Sequence, residues 1–265
     1  MFKVAMVNSQ GGLAEGPGAV CLSALALLRP GRRVGTSAGD GGRMTVSPDP
    51  RLESARPACR VLPEQTEGPY HRQAPPERVD ITEDCEGMPL RVGLRLLDTD
   101  AVTPLRDAVV EVWQADATGR YSGFARVEPH ADGTPLAAEE ISDEQVAPQE
   151  TFLRGSQRTD AAGTCQFRTI WPGWYSGRTI HIHVIVHLGG GRTVTTQLYF
   201  PDELNAEVLA TWPYAERGPQ DTTNATDTIF PGGGDDTILQ LERRDAGWSG
   251  VLCLALAEGA GLYSS

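Results

Sequence analysis

No stretch of this 265-residue sequence stays apolar for the ~18 residues that a membrane-spanning helix needs. Basic residues are also scarce: 23 Lys+Arg stand against 35 Asp+Glu, a formal net charge of -12. With no basic cluster interleaved with aromatics, neither a nucleic-acid backbone nor a membrane surface is expected as partner. Metal-type cysteine spacing is missing too. Cys21, Cys59, Cys85, Cys165 and Cys253 are scattered with no CxxC pair, which excludes zinc-ribbon and thioredoxin-like readings. An odd count leaves at least one thiol free if all five are in the mature chain. Cys59 and Cys85 could pair in an exported protein, or both could be buried free thiols. Dinucleotide GxGxxG and Walker patterns are absent. Helical periodicity is weak, and only Asp202 to Leu209 reads as a short helix.

What is present points to β-structure. The sequence carries 30 Gly and 19 Pro, which is rich in turn formers, and 40% hydrophobic residues, enough for a sizeable core. Alternating or β-rich segments run from Leu90 to Leu97, Ala108 to Ala115, Thr164 to Ile170, Thr179 to Val186, Thr193 to Phe200 and Gly250 to Leu256. Turn signals separate them, among them Asp116-Ala117-Thr118-Gly119, Asp160-Ala161-Ala162-Gly163 and Gly189-Gly190-Gly191. The expected fold is all-β: an antiparallel β-sandwich core with long loops, little helix and a disordered N-terminal tail. Residues 1–55 read as low-complexity tail or as an over-called leader with Met44 the true start, and 56–265 as the folded domain. Ala19 to Leu28 has the length of a signal-peptide apolar region but poor flanks, so the expected location is cytoplasmic, with export as the alternative. The acidic stretch Glu128 to Glu150 reads as a surface loop.

His181-Ile182-His183 is the most informative tripeptide. On a strand, residues two apart share a face, with Cβ atoms roughly 6–7 Å apart. Two imidazoles so placed can converge on one ion at about 2.0–2.1 Å each. Three of the five histidines lie between Ile180 and His187. His187 has the same parity but stands about 13 Å beyond His183, too far to share the ion. It reads as a solvated strand-end residue, as do His71 and His130 in their polar contexts.

At this point the chain resembles the intradiol ring-cleavage dioxygenases, the group of protocatechuate 3,4-dioxygenase and catechol 1,2-dioxygenase. Five blocks in order carry the resemblance, from about Cys59 onward. They are Pro63 to Tyr70 (PEQTEGPY), Glu111 to Tyr121 (EVWQADATGRY), Trp171 to Tyr175 (WPGWY), Gly177 to His183 (GRTIHIH) and Thr196 to Phe200 (TQLYF). The resemblance implies a high-spin Fe(III) held by Tyr121, Tyr175, His181 and His183. Phenolate is a hard anionic donor suited to a trivalent ion, which fits that assignment. A catechol-type substrate would bind the metal as its dianion, with Tyr175 leaving the iron to take up a substrate proton. Dioxygen would then open the ring to a cis,cis-muconate-type diacid. Arg178 matches the family arginine beside the ring, where a permanent cation can stabilise developing negative charge. Gln197 matches a glutamine near the metal, and Gly68, Pro69 and Tyr70 match a segment walling the substrate pocket.

Only five residues separate Tyr175 from His181, fewer than in typical protocatechuate dioxygenases, which suggests a more open site. This short form resembles a single-chain, protocatechuate-like branch, and a homo-oligomer is possible. Strands and turns alone would also suit a non-catalytic transthyretin-like β-sandwich binding module, which Pro104 to Val112 and Asp160 to Phe167 resemble. A cupin-like or zinc-dependent HxH enzyme would need a further histidine after His187, and there is none.

Overall fold

A computed structural model of the chain describes residues 49–54, 59–100, 102–124, 149–244 and 246–257. The expected leader, Cys21, His130 and most of the Glu128 to Glu150 loop lie outside the described residues. The described elements are helix α1 (Pro50–Ser54), strands β1 (Arg60–Val61), β2 (Pro89–Leu97), β3 (Val109–Trp113), β4 (Arg154–Arg158), β5 (Thr164–Ile170), β6 (His181–His187) and β7 (Thr193–Tyr199), helix α2 (Asp202–Leu209), and strands β8 (Gln240–Arg244) and β9 (Gly247–Ala255).

Two sheets stack as the expected β-sandwich. One runs β1-β9-β2-β5 with β8 paired to β9, and the other runs β4-β3-β6-β7. The second sheet is antiparallel throughout. The first departs from a purely antiparallel plan, because the last strand, β9, lies parallel to both β1 and β2. Period-two patterning builds the core between them: Leu90, Val92, Leu94 and Leu96 of β2 and Phe167 of β5 meet Val110, Val112, Ile182, Val184, Val186 and Leu198 in one buried cluster. At about 25 cal/mol per Å² of apolar surface, each such side chain contributes roughly 1.5–3 kcal/mol.

Strand β6 is buried on both faces, with all residues but His187 inaccessible. Its even-numbered residues enter the core, while His181, His183 and Ile185 point to the outer face of the second sheet. Loops cover that outer face, which is why polar side chains there are dry. Two strands escape a reading by periodicity. β4 (RGSQR) has no apolar alternation; it pairs with β3, and its Gly155 lies so close to Ile81 that a Cβ would approach Ile81 Cγ2 to 2.5 Å. β8 (QLERR) is a mostly exposed edge strand whose one apolar residue, Leu241, is too little to show an alternation.

The cysteine pairing corrects the sequence expectation. Cys59 bonds to Cys253 of β9, 194 positions away, while Cys85 and Cys165 are free. The parallel β1/β9 ladder sets Arg60 opposite Leu254, so the residues that precede them, Cys59 and Cys253, stand side by side. Closing so long a loop stabilises the folded state by about 4–5 kcal/mol in the chain-entropy account. Cys253→Ala, or reduction of the bond, should lower Tm by roughly 5–15 °C in a thermal melt. An unchanged Tm under reducing conditions would count against the pairing.

Candidate metal centre

The site grows from two loops and one strand. Strand β3 ends at Trp113, and the chain then turns through Asp116, whose Oδ1 accepts from the backbone N–H of Thr118 (2.8 Å) and Arg120 (3.0 Å). That turn delivers Tyr121. The loop from Trp171 to Tyr175 lies against it: Gly173 donates its N–H to Asp116 O at 3.0 Å. A Cβ at Gly119 would come within 2.0 Å of Trp174 O, and one at Gly173 within 2.5 Å of Ala117 O. Glycine is therefore required at both positions for the loops to touch. Trp171 is fully buried and anchors this second loop by donating Nε1–H to Asn205 Oδ1 of α2 at 3.1 Å.

Four donor atoms meet where these loops cross β6. His181 Nε2 and His183 Nε2 are 3.0 Å apart. Tyr121 Oη lies 3.1 Å from His183 Nε2 and 3.4 Å from His181 Nε2. Tyr175 Oη lies 3.4 Å from His181 Nε2. Donors about 2.0–2.1 Å from a common ion, at cis or tetrahedral angles, stand roughly 2.9–3.4 Å from one another, so this spacing fits a single ion. Among the described residues no group of three or more His, Cys, Asp or Glu forms a metal cluster. The centre exists only when phenol oxygens are counted as donors.

The electrostatics of the donors agree. Burial, then the nearby Arg178 charge, lowers the His181 pKa to about 3, and burial followed by His181 holds His183 well below its ordinary value. Both imidazoles are therefore neutral and offer lone pairs at physiological pH. His181 Nδ1 contacts Thr179 O at 2.7 Å, which leaves Nε2 free to face the site. His183 stacks on Trp113 at 4.7 Å and 3°, and its Nδ1 is buried with no protein partner. Burial also pushes both tyrosine hydroxyls up, Tyr121 most strongly. Two adjacent phenols in a dry pocket ionise together only beside a concentrated positive charge, so the donor set fits a trivalent cation.

Over the donors runs the segment from Gln65 to His71. A Cβ on Gly68, at φ +73°, would touch His183 Cε1 at 3.3 Å. Pro69 is half-buried. Tyr70 stacks on Tyr121 at 4.4 Å and meets Tyr175 edge-on at 5.7 Å. With Trp113, Ala115, Phe124 and Ile185 these rings form a second apolar cluster, separate from the sandwich core. His71 differs from the solvated residue expected, whereas His187, the last residue of β6, is partly exposed. His71 is mostly buried, with Nδ1 2.6 Å from Glu67 Oε1 and Nε2 3.4 Å from Glu111 Oε2. His187 sits away from the four donors and pairs with Glu111 Oε1 at 2.8 Å.

Arg178 is buried rather than at the surface. Its Nε donates to Asp227 Oδ2 at 2.8 Å and Nη2 to Gln197 Oε1 at 2.5 Å, while Tyr199 Oη donates to the same Gln197 oxygen at 3.0 Å. Gln197 donates in turn to Thr66 O at 3.1 Å. Asp227 was not readable from the sequence, lying in a polar run without periodicity. Its other oxygen accepts the N–H groups of Ile229 and Phe230 at 2.7 and 2.8 Å. Burial alone would raise the Asp227 pKa, but the Arg178 charge and these donors outweigh it and hold the carboxyl below its ordinary range. For Arg178, burial opposes the charge, while the neighbouring Tyr175 oxygen and the Asp227 carboxylate favour it and outweigh burial, so the guanidinium stays protonated. Breaking a buried pair strands the other charge. Asp227→Ala should therefore cost about 3–5 kcal/mol in chemical denaturation, and Arg178→Met with Asp227→Leu should cost less than Asp227→Ala alone. The depressed carboxyl contributes stability above about pH 4 that is lost as pH falls through its folded value.

A protein-family model described as dioxygenase matches residues 66–210, more than half of the chain and a span containing Tyr121, Tyr175, His181, His183 and Gln197. Among curated proteins, the protocatechuate 3,4-dioxygenase beta chain of Burkholderia cepacia is 34% identical over 142 residues, covering 47% of this chain and 52% of its own. Catechol 1,2-dioxygenase 2 of Acinetobacter lwoffii is 30% identical over 176 residues, covering 57% and 56%. The chain thus spans about half the length of the curated relatives it matches. Among solved structures, an intradiol ring-cleavage dioxygenase from Tetranychus urticae superposes with a TM-score of 0.65 at 31% identity, over 78% of this chain and 98% of that one. The dioxygenase domain of a carbohydrate-binding fusion protein from Streptomyces sp. SirexAA-E gives a TM-score of 0.53 at 28% identity, over 74% and 98%. With the sandwich, the motif blocks and these matches in agreement, the chain belongs to the intradiol ring-cleavage dioxygenase family.

Proposed function

We propose that the chain holds one ferric ion through Tyr121, Tyr175, His181 and His183. With dioxygen it opens a catechol-type ring between its two hydroxyl-bearing carbons, giving a cis,cis-muconate-type diacid. The observation that supports this reading most is the set of four contacts, 3.0–3.4 Å long, that link two phenol oxygens and two imidazole nitrogens in a dry pocket. A bound ferric ion would draw electron density from the catecholate, so that the ring itself reacts with dioxygen.

The protein's own groups would do the rest. Tyr175 Oη can receive a proton from a substrate hydroxyl, and it is the donor less covered by Tyr70, which meets it only at the ring edge. Arg178, whose positive charge acts on Tyr175, offers a fixed cation for negative charge that develops on the substrate. Gln197 and Asp227 hold the guanidinium in place, so no reorganisation is needed when that charge appears. Tyr70, Trp113 and Ile185 supply flat apolar walls suited to an aromatic ring, and they exclude water from reactive intermediates. Gly68 and Pro69 let the backbone pass close above the metal donors. The Cys59–Cys253 bond favours an exported, oxidising setting over the cytoplasm as the place of action.

Oxygen uptake and product absorbance with catechol, protocatechuate and hydroxyquinol test the reading. Tyr121→Phe and His183→Ala should each lower ring cleavage by more than about 100-fold, beyond the loss seen when outer-sphere partners of a metal are removed. His187→Ala should leave iron content intact. Full turnover with retained iron in His183→Ala would overturn the donor assignment.

A further inference from the structure

The segment over the donors is fastened at both ends, but by different chemistry. At its start, Gln65 donates its N–H to Thr195 O at 2.8 Å, and Gln65 Oε1 accepts from Gln197 N at 3.2 Å, so backbone and amide groups tie it to β7. At its end the tie runs through His71. His71 stands between two carboxylates, Glu67 at 2.6 Å and Glu111 at 3.4 Å, one on each ring nitrogen. Each ring nitrogen of His71 thus faces a carboxylate oxygen, a group that accepts an N–H. Glu111 is itself buried, and its second oxygen meets His187 at 2.8 Å. A buried carboxylate is costly unless cations or donors face it. Glu67, His71, Glu111 and His187 therefore form an alternating row of acid and base.

This row touches none of the four metal donors, yet it borders them. The His71 ring packs on Trp113 at 4.8 Å, and Trp113 stacks on His183 at 4.7 Å. One residue before His71 is Tyr70, which lies on Tyr121. Glu111 itself sits on β3 two positions before Trp113, on the same outer face, so its position is set by the sheet rather than by a loop.

We propose that Glu111 is a positioning residue for substrate binding. Through His71 it fixes the segment Gln65 to His71, and with it Tyr70 and Gly68, at a set height above the metal donors. The inference rests on the ferric catechol-cleaving reading. Loss of the tie leaves the donors in place but lets the Tyr70 wall move, so substrate binding weakens while chemistry on bound substrate continues.

The test uses the full iron-loaded chain and the variants Glu111→Gln and His71→Gln, singly and together. KM and kcat come from oxygen uptake with catechol, and the Kd for catechol from the anaerobic shift of the visible phenolate-to-iron absorption. Amide hydrogen exchange across residues 65–71 is followed on iron-free protein. Each single variant should raise KM and Kd about tenfold, as expected for loss of a charge-assisted hydrogen bond, with kcat within about threefold. Iron content and the absorption maximum should not change, exchange across 65–71 should quicken, and the double variant should be no worse than the worse single one. His71→Gln keeps Glu111 in the sheet, so the test survives if Glu111→Gln fails to fold. An unchanged KM, strictly additive effects, or loss of iron in His71→Gln would overturn the proposal. Wild-type protein without the absorption band would overturn the metal reading and this inference together. An unchanged KM in a variant that keeps the band overturns this inference alone.

Discussion

The outer face of the second sheet has to be dry, and most of what is unusual about this molecule follows from that constraint. A sandwich strand ordinarily buries one face and wets the other. Here β6 is inaccessible on both sides up to its last residue. Imidazoles at His181 and His183 are neutral because water is excluded, and the same exclusion makes two phenols side by side unable to ionise without a cation. A bound cation, as proposed above, would be the partner that this buried polar face needs, and the loops that carry Tyr121 and Tyr175 are what close it.

Closing the face brings a second cost, which the Arg178 network offsets. A guanidinium beside the phenols places positive charge next to the four donors, but burying it demands a carboxylate of its own. Asp227 fills that role, and its remaining oxygen is capped by backbone N–H groups so that it does not drift toward the donors. Gln197 joins the arginine to the segment above the site through Thr66, so the charge and the pocket wall are parts of one hydrogen-bonded unit.

Much of this was legible in the sequence, for identifiable reasons. β2, β5, β6 and β7 announce themselves by alternation, and α2 was readable to the residue because its apolar positions follow a helical period. The HxH spacing places two imidazoles on one face by the geometry of a strand alone. Tyr121 and Tyr175 were not readable that way, since their convergence depends on loops locked by Gly119 and Gly173; the motif resemblance was needed to single them out. Asp227 and Glu111 were missed as partners because pairing across 40 or more positions leaves no local signature. β4 and β8 were missed because one is polar and buried and the other is polar and exposed, and neither alternates. The Cys59–Cys253 bond follows from a parallel pairing of the first and last strands, a topological fact that spacing does not encode.

The central claim is that two tyrosines and two histidines bind one trivalent iron. Resonance Raman spectroscopy of the purified protein, excited in its visible band and paired with metal analysis, tests this most directly. The account predicts about one iron per chain and phenolate vibrations from two distinct tyrosines, one set of which disappears in Tyr121→Phe. A colourless protein, a zinc-loaded one, or an iron protein with no tyrosinate vibrations would contradict it.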